Sequence, residues 1–213
     1  MEIPLPLDKL TLPSNNNGDK IYVVLVATGS FNPPTLMHLR MFELARDALN
    51  SNGFCVIGGY MSPVNDAYKK RAKQSSFQRS LIVLNRVKSF LTEGGLIRKE
   101  SLKVMLVCGS DLLQSFSIPG FWIPEQVRAI CKDYGVVCIR REGQDLEKII
   151  SGDEILNENR DNIKIIDELV PNQISSTRLR ECISRGLSIK YLTIDEVIVY
   201  IGKQNLYLKS DDK

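Results

Sequence analysis

Apolar residues in this chain fall in short blocks separated by longer amphipathic stretches. Val23, Val24, Leu25 and Val26 are apolar on both faces and too few for a helix, which predicts a strand buried in a parallel sheet. Gly29 breaks the run, and Asn32-Pro33-Pro34 forces an extended turn. Thr35 is placed to cap a helix running to about Leu49, with Met41, Phe42, Leu44, Ala45, Ala48 and Leu49 on its buried stripe. Phe54–Tyr60 reads as a second strand, with Gly58 and Gly59 permitting close backbone approach, and Ser62–Asp66 as a turn. Helix is predicted over Phe77–Leu91 and from Pro124 to about Tyr134, where Gly135 ends it. Further strands are predicted at Lys103–Cys108, Val136–Ile139 and Ile163–Ile166, and residues 144–159 read as helical or irregular.

Two short helices close the pattern. Thr193, with Glu196 three residues on, predicts a capping box, and Leu192 and Val197 a hydrophobic staple. The helix over Ser175–Arg185 has serines to cap it, but Arg178 and Arg180 stand in its first turn, where a cation opposes the helix dipole. Residues 1–20 read as a flexible lead-in, 21–208 as one domain and 209–213 as a polar tail. Strands alternating with helices predict an α/β fold, a Rossmann-like doubly wound and mostly parallel sheet with C-terminal helices.

Composition narrows the function classes. The 213 residues suit one domain, and a net charge of +3 is too balanced to argue for a nucleic-acid partner. No apolar run has the length of a membrane span, and no signal peptide is seen in MEIPLPLDKL. Five cysteines without a CxxC pair read as reduced thiols in the cytoplasm or nucleus, and one histidine makes a structural zinc site a poor expectation. A homo-oligomer is left open.

In doubly wound sheets, ligands bind at the carboxyl ends of the strands. Every chemically suggestive cluster here follows a strand: Gly29–His38, Ser62–Lys70, Gly109–Asp111, Arg140-Arg141 and Asn172–Arg180. Free N–H groups, hydroxyls and cations brought to one edge suit a phosphate clamp, hence phosphoryl or nucleotidyl transfer. His38, the only histidine, sits in a helix first turn, where a neutral imidazole could donate to phosphate. Neither a P-loop nor a GxGxxG motif is present, which disfavours a P-loop NTPase and a nicotinamide-cofactor oxidoreductase.

GSFNPPTLMH resembles the GxFxPxTxxH form of the nucleotidyltransferase signature, with Thr35 and His38 at its two marked positions, and ISSTRLR resembles the ISSTxxR signature ending in Arg180. SPVNDAYKK, CGSDLLQSF and the Trp122 loop are similar to the eukaryotic-type nicotinamide/nicotinate-mononucleotide adenylyltransferases. That resemblance implies attack of the mononucleotide 5′-phosphate on the α-phosphorus of ATP, with Mg²⁺ assisting and pyrophosphate leaving. It implies catalytic roles for His38, Lys70 and Arg180. Gly29, Ser30, Phe31 and Thr35 would meet the nucleotide, Tyr68 the mononucleotide phosphate, Gly109 and Asp111 a ribose, and Phe121 and Trp122 the pyridine ring. Arg141, Asn172, Ser175, Ser176, Thr177 and Arg178 would complete the adenine and triphosphate side. No metal-ligating residue is assigned. Plain structural readings stand beside these: His38 as a surface residue, Asp111 as a helix cap, Trp122 as a half-buried aromatic, and Arg178 with Arg180 as a solvated face.

One departure is large. The family pattern continues after the SPVNDAYKK stretch with a helix bearing a His-Arg pair and a strand ending in an Asp-Pro-Trp-Glu-like motif. Here Lys70 runs through RAKQSS straight into Phe77, so an α–β unit of roughly thirty residues is expected to be missing. Its strand would be the edge of a 3-2-1-4-5-6 sheet, so the rest of the sheet is expected to survive. Two readings follow, an active adenylyltransferase and a catalytically impaired nucleotide-binding variant with a regulatory or chaperone-like role.

Overall fold

The computed structural model describes residues 5–12, 20–63, 77–141, 143–170 and 172–208. Five parallel strands form one sheet: β1 (Tyr22–Gly29), β2 (Cys55–Pro63), β3 (Leu102–Gly109), β4 (Val136–Ile139) and β5 (Ile163–Ile166). Their order is β2-β1-β3-β4-β5, which is the expected sheet without its outermost strand. The chain moves from β1 outward to β2, then crosses back to β3 on the other side of β1. The carboxyl ends of β1 and β3 therefore flank the point where the winding reverses.

Alternation along each strand builds two cores. Val23 and Leu25 of β1 join Met105, Val107, Val137 and Ile139 beneath α1 (Leu36–Ser51), which contributes Met37, Met41, Leu44, Ala45 and Leu49. Tyr22, Val24 and Val26 face the opposite way, with Val104, Leu106, Val136 and Cys138. That face is covered by α2 (Phe77–Glu93), α3 (Ser110–Phe116), α4 (Pro124–Ala129), α5 (Leu146–Ser151) and α6 (Glu154–Glu158). The helix expected over Pro124–Tyr134 is α4 continued by a π turn, Ile130–Tyr134, and Gly135 ends it at φ 94°. Cys108, Cys131 and Cys138 are buried free thiols, and burial raises the Cys131 pKa to about 12.

A third, smaller cluster of Leu179, Ile189 and Ile201 joins α7 (Ser176–Ser184) to α8 (Asp195–Lys203). Ser175 caps α7 as expected, accepting the Arg178 N–H at 3.3 Å. At α8 the expected capping box does not form. Ile194 is the N-cap, and the Thr193 hydroxyl donates instead to the Pro34 carbonyl at 2.8 Å. A tertiary carbonyl acceptor has taken the place of the local N–H donor. Leu192 and Val197 do pack together in the cluster.

The lead-in also differs from expectation in part. Leu10 is buried against the second core, the Thr11 N–H donates to the Ile57 carbonyl at 2.8 Å, and the Tyr60 hydroxyl donates to Pro6 at 2.9 Å. Ile57 sits where the β1–β2 register slips, so its carbonyl is turned out of the ladder and available. Gly58 makes room for this strap: a Cβ there would lie 2.7 Å from Leu10 and 2.9 Å from the Lys9 carbonyl. Gly59 does the same for α1, since a Cβ would meet the Phe42 ring at 2.7 Å.

Burial of a leucine stabilises by about 1.5–3 kcal/mol, and truncation leaves a cavity as well. Leu10→Ala is therefore expected to cost about 2–4 kcal/mol in urea unfolding. A change below about 0.5 kcal/mol, ordinary for a surface site, would show that residues 5–12 are not part of the core.

Candidate active site

The turn between β1 and α1 carries two consecutive prolines, which have no N–H and cannot pair the loop with itself. Its carbonyls are taken by the C-terminal helices. Arg180 donates to the Asn32 carbonyl at 2.7 Å, Ser176 to Pro33 at 2.8 Å and Thr193 to Pro34 at 2.8 Å. The Tyr207 hydroxyl bonds the Asn32 side chain. The two stretches that suggested chemistry are thus bound to each other.

Thr35 is buried and caps α1, and its bond to His38 decides which nitrogen of that ring is protonated. The Thr35 N–H donates to His38 Nδ1 at 2.9 Å, closing a capping box with histidine in the place of glutamate. Nδ1 is therefore an acceptor, and the neutral imidazole carries its proton on Nε2. Burial, and then the nearby positive charge of Arg141, lower the His38 pKa below its ordinary value. Phe31 packs edge-on against the ring at 5.0 Å.

A cavity of about 320 Å³ opens between the carboxyl ends of β1 and β3. It brings together Gly29, Ser30, Phe31, His38, Gly109, Asp111, Arg141 and Ser176, all expected site residues. Met37 and Ile174 also line a second cavity, of about 370 Å³, which takes in Asn172, Ser175 and Arg178 and shares Arg141. A wider, mainly apolar groove of about 940 Å³ adjoins both along α1, sharing Met37 and Ile174 with each; the polar groups converge in the smaller pair.

Asp111 does not cap α3, whose N-cap is Gly109. Its carboxylate instead pairs with Arg141 at 2.8 Å and accepts from Gln144 at 3.2 Å. Ser110, fully buried, accepts the Arg141 N–H at 2.8 Å and donates to the Ile139 carbonyl at 3.2 Å, tying the ends of β3 and β4. Asn172 donates to Glu168 at 3.1 Å and accepts the Ile174 N–H at 3.1 Å, and Glu168 also takes Arg40 at 3.1 Å.

Other expected residues lie elsewhere. Arg180 and Thr177 bond each other at 3.2 Å on the loop side and line neither cavity. The Trp122 indole donates to Ser115 at 2.9 Å and sits edge-on to Phe116 at 4.8 Å, also away from both cavities, and Phe121 is exposed. Tyr68 and Lys70 lie outside the described residues. Sequence reasoning missed Ser110, Glu168, Thr193 and Thr28, whose hydroxyl lies 2.7 Å from that of Ser80 on α2. Only Ser110 left a signal, its place in the Gly-Ser-Asp run after β3; the others depend on partners far along the chain.

The sole imidazole makes a clean probe. Its NMR titration midpoint is expected below about 6.5, the value of an unperturbed histidine. With the folded value lowered, its contribution to stability is full above about pH 6.5 and is lost as pH falls through the folded midpoint. A midpoint at or above 6.5 would contradict the buried, Thr35-bonded ring.

The Cytidylyltransferase-like family model matches residues 26–182. The chain is 63% identical over 235 aligned positions to a nicotinamide/nicotinic acid mononucleotide adenylyltransferase of Arabidopsis thaliana, with 97% of this chain and 98% of that one covered. The protein of the same description from Oryza sativa subsp. japonica is 57% identical over 240 positions, with 99% and 96% covered. A nicotinamide/nicotinic acid mononucleotide adenylyltransferase 1 of Bos taurus is 35% identical, with 92% of each chain covered. Since 97% of 213 residues is about 207, about 28 of the 235 positions have no residue of this chain opposite them. A total of that size is what an absent α–β unit would leave.

Proposed function

The chain belongs to the nicotinamide/nicotinic acid mononucleotide adenylyltransferases, and from that premise we propose that its two joined cavities carry out adenylyl transfer. ATP and nicotinamide or nicotinate mononucleotide are the substrates; NAD or its deamido form and pyrophosphate are the products. A phosphate oxygen of the mononucleotide forms the new bond to the α-phosphorus, and the bond from that phosphorus to the bridging oxygen of pyrophosphate breaks. The observation that carries this reading is the single cavity at the winding reversal, lined by residues of both signature stretches.

In this reading His38 Nε2–H donates to phosphate oxygens on which charge develops, next to backbone N–H groups of the Gly29–Phe31 turn. Asp111, held by Arg141 and Gln144, faces a ribose, whose hydroxyls a carboxylate can accept in pairs. Arg141 and Arg178 are the cations nearest the phosphates, with Ser175, Ser176 and Asn172 beside them. Arg180 and Thr177 act through the loop: the Arg180 guanidinium fixes Asn32, so its contribution is to the shape of the turn. The resemblance alone assigns Lys70 and Tyr68, outside the described residues, to the mononucleotide phosphate, and Trp122 with Phe121, which line neither cavity, to the pyridine ring. Magnesium fits as part of a MgATP substrate, because the Asp111 carboxylate on the cavity wall is already engaged by Arg141 and Gln144. Bound there, it would neutralise charge on the phosphates.

A second reading, a nucleotide binder without turnover, is favoured by the roughly 28 absent positions and by the seating of Trp122 away from the cavities. Incubating the protein with each mononucleotide, ATP and Mg²⁺ separates the two. Dinucleotide and pyrophosphate are expected, and His38→Ala should cut turnover about a hundred- to a thousand-fold with mononucleotide binding largely kept. Bound ATP without product at high enzyme concentration would establish the second reading. A His38→Ala rate within a few-fold of the parent would remove His38 from the chemistry.

A further inference from the structure

Thr193 lies 159 residues from Pro34 along the chain, yet it is buried, at 4% exposure, against the turn that leads into α1. Its hydroxyl donates to the Pro34 carbonyl at 2.8 Å, and the carbonyl of its neighbour Leu192 accepts the Leu36 N–H at 3.0 Å. These two backbone groups, Pro34 C=O and Leu36 N–H, stand immediately on either side of Thr35. Thr35 is the residue whose N–H fixes the acceptor nitrogen of His38. The segment Leu192–Thr193 therefore holds the backbone on both sides of Thr35.

We propose that Thr193, with the Leu192 carbonyl, is a positioning residue for the transfer reaction, holding Thr35 so that His38 keeps its proton on Nε2. The proposal rests on the reading of His38 as a phosphate-facing donor. Pro34 can make no bond of its own through nitrogen, and its carbonyl needs a donor from elsewhere. Without the Thr193 hydroxyl, that part-buried carbonyl is left to turn toward water, and the peptide can rotate. Rotation of the Pro34–Thr35 peptide would turn the Thr35 N–H away from Nδ1. The Thr35 hydroxyl, 2.9 Å from Nδ1, could then accept a proton from that nitrogen, and the resulting Nδ1–H tautomer would offer the phosphates an acceptor instead of a donor. A misplacement of this kind, remote from the chemistry, commonly costs up to about a hundred-fold in rate. It leaves the ground-state grip on the substrates in other hands, chiefly those of Arg141 and Arg178.

The test compares Thr193→Val, Thr193→Ala and Thr193→Ser in the full chain. Valine keeps the shape and removes the donor; serine keeps the donor. Because the chain has one histidine, the ¹⁵N shifts of its ring report the tautomer without assignment. Thr193→Val and Thr193→Ala are expected to lower kcat about ten- to a hundred-fold, with KM for ATP and for mononucleotide changed less than about three-fold, and to give a mixed-tautomer spectrum. Thr193→Ser should restore both kcat and the Nε2–H spectrum. Parental kcat and tautomer in the valine variant, with only a lower Tm, would overturn the proposal. So would a serine variant that behaves as valine does. Should the hydroxyl-free variants not fold, Thr193→Cys supplies a weaker donor, and a parental tautomer with parental kcat there would count against the hydroxyl. A His38→Ala chain of unchanged rate would instead defeat the underlying reading of His38, a result that leaves the Thr193 spectra as they are.

Discussion

Three successive carbonyls, those of Asn32, Pro33 and Pro34, set the conditions for the rest of the molecule. The prolines have no N–H with which to pair this turn to itself. Asn32 and Pro34 are exposed, yet all three carbonyls take donors from the chain, Arg180, Ser176 and Thr193, all beyond the last strand. Those donors hold position only because Leu179, Ile189 and Ile201 pack α7 and α8 into a small core of their own. The geometry of the first loop is thus decided by the fold of the last fifty residues or so.

The same dependence explains how the sheet tolerates a missing unit. The strands that remain pair in an unbroken series, β2 with β1, β1 with β3, β3 with β4 and β4 with β5, so none paired solely with the absent strand. What changes is the exposure of β2, whose residues are mostly half-buried and whose outer side would be a row of unpaired peptide groups. The strap of residues 5–12 blunts that edge at one point: it takes the bulged Ile57 carbonyl and seats Leu10 in the space that Gly58 leaves. The carboxyl ends of β1 and β3, which carry the cavity, are untouched by the loss, because the winding reverses on the far side of β1 from β2.

How much of this was legible in the sequence follows from the range of each interaction. Strands β1, β4 and β5, and the start of α1, announce themselves because their signals are local: apolar runs, a proline turn, a capping residue. The convergence of Gly29, His38, Gly109, Asp111 and Arg141 was also readable, since parallel winding brings strand ends together wherever the loops begin. Thr193 was misread because two partners competed for one hydroxyl, N–H donors of the helix and a distant carbonyl acceptor. The helix N–H groups are visible in the sequence, and the Pro34 carbonyl, 159 residues away, is not. Leu10 was read as part of a loose lead-in because the surrounding residues are polar and turn-rich, and its pocket is made by a glycine in another element. Arg180 sits in a signature but spends its fork on a carbonyl, a role that residue type alone cannot distinguish from phosphate binding.

The charges around the cavities carry one further argument. Each arginine there has a carboxylate partner: Arg141 has Asp111, Arg140 has Asp167, Arg40 has Glu168 and Arg178 has Glu181. The exposed pairs, Arg141–Asp111 and Arg178–Glu181 among them, contribute about 0–1 kcal/mol each, so they stabilise the fold little and hold the guanidinium groups in place at little cost. A triphosphate offers several charged oxygens at bidentate spacing and competes well for the remaining N–H groups of such a fork. His38 follows the same logic in reverse. Arg141 and burial keep it neutral, which avoids adding a cation to the positive end of α1. An arriving phosphate offsets the Arg141 field and polarises the Nε2–H while Nδ1 stays taken by the Thr35 N–H, so the donor strengthens as negative charge collects beside it. A neutral ring with one fixed donor stabilises charge at the step where charge appears, and a permanently charged lysine at the same position would already be paired before the substrate came.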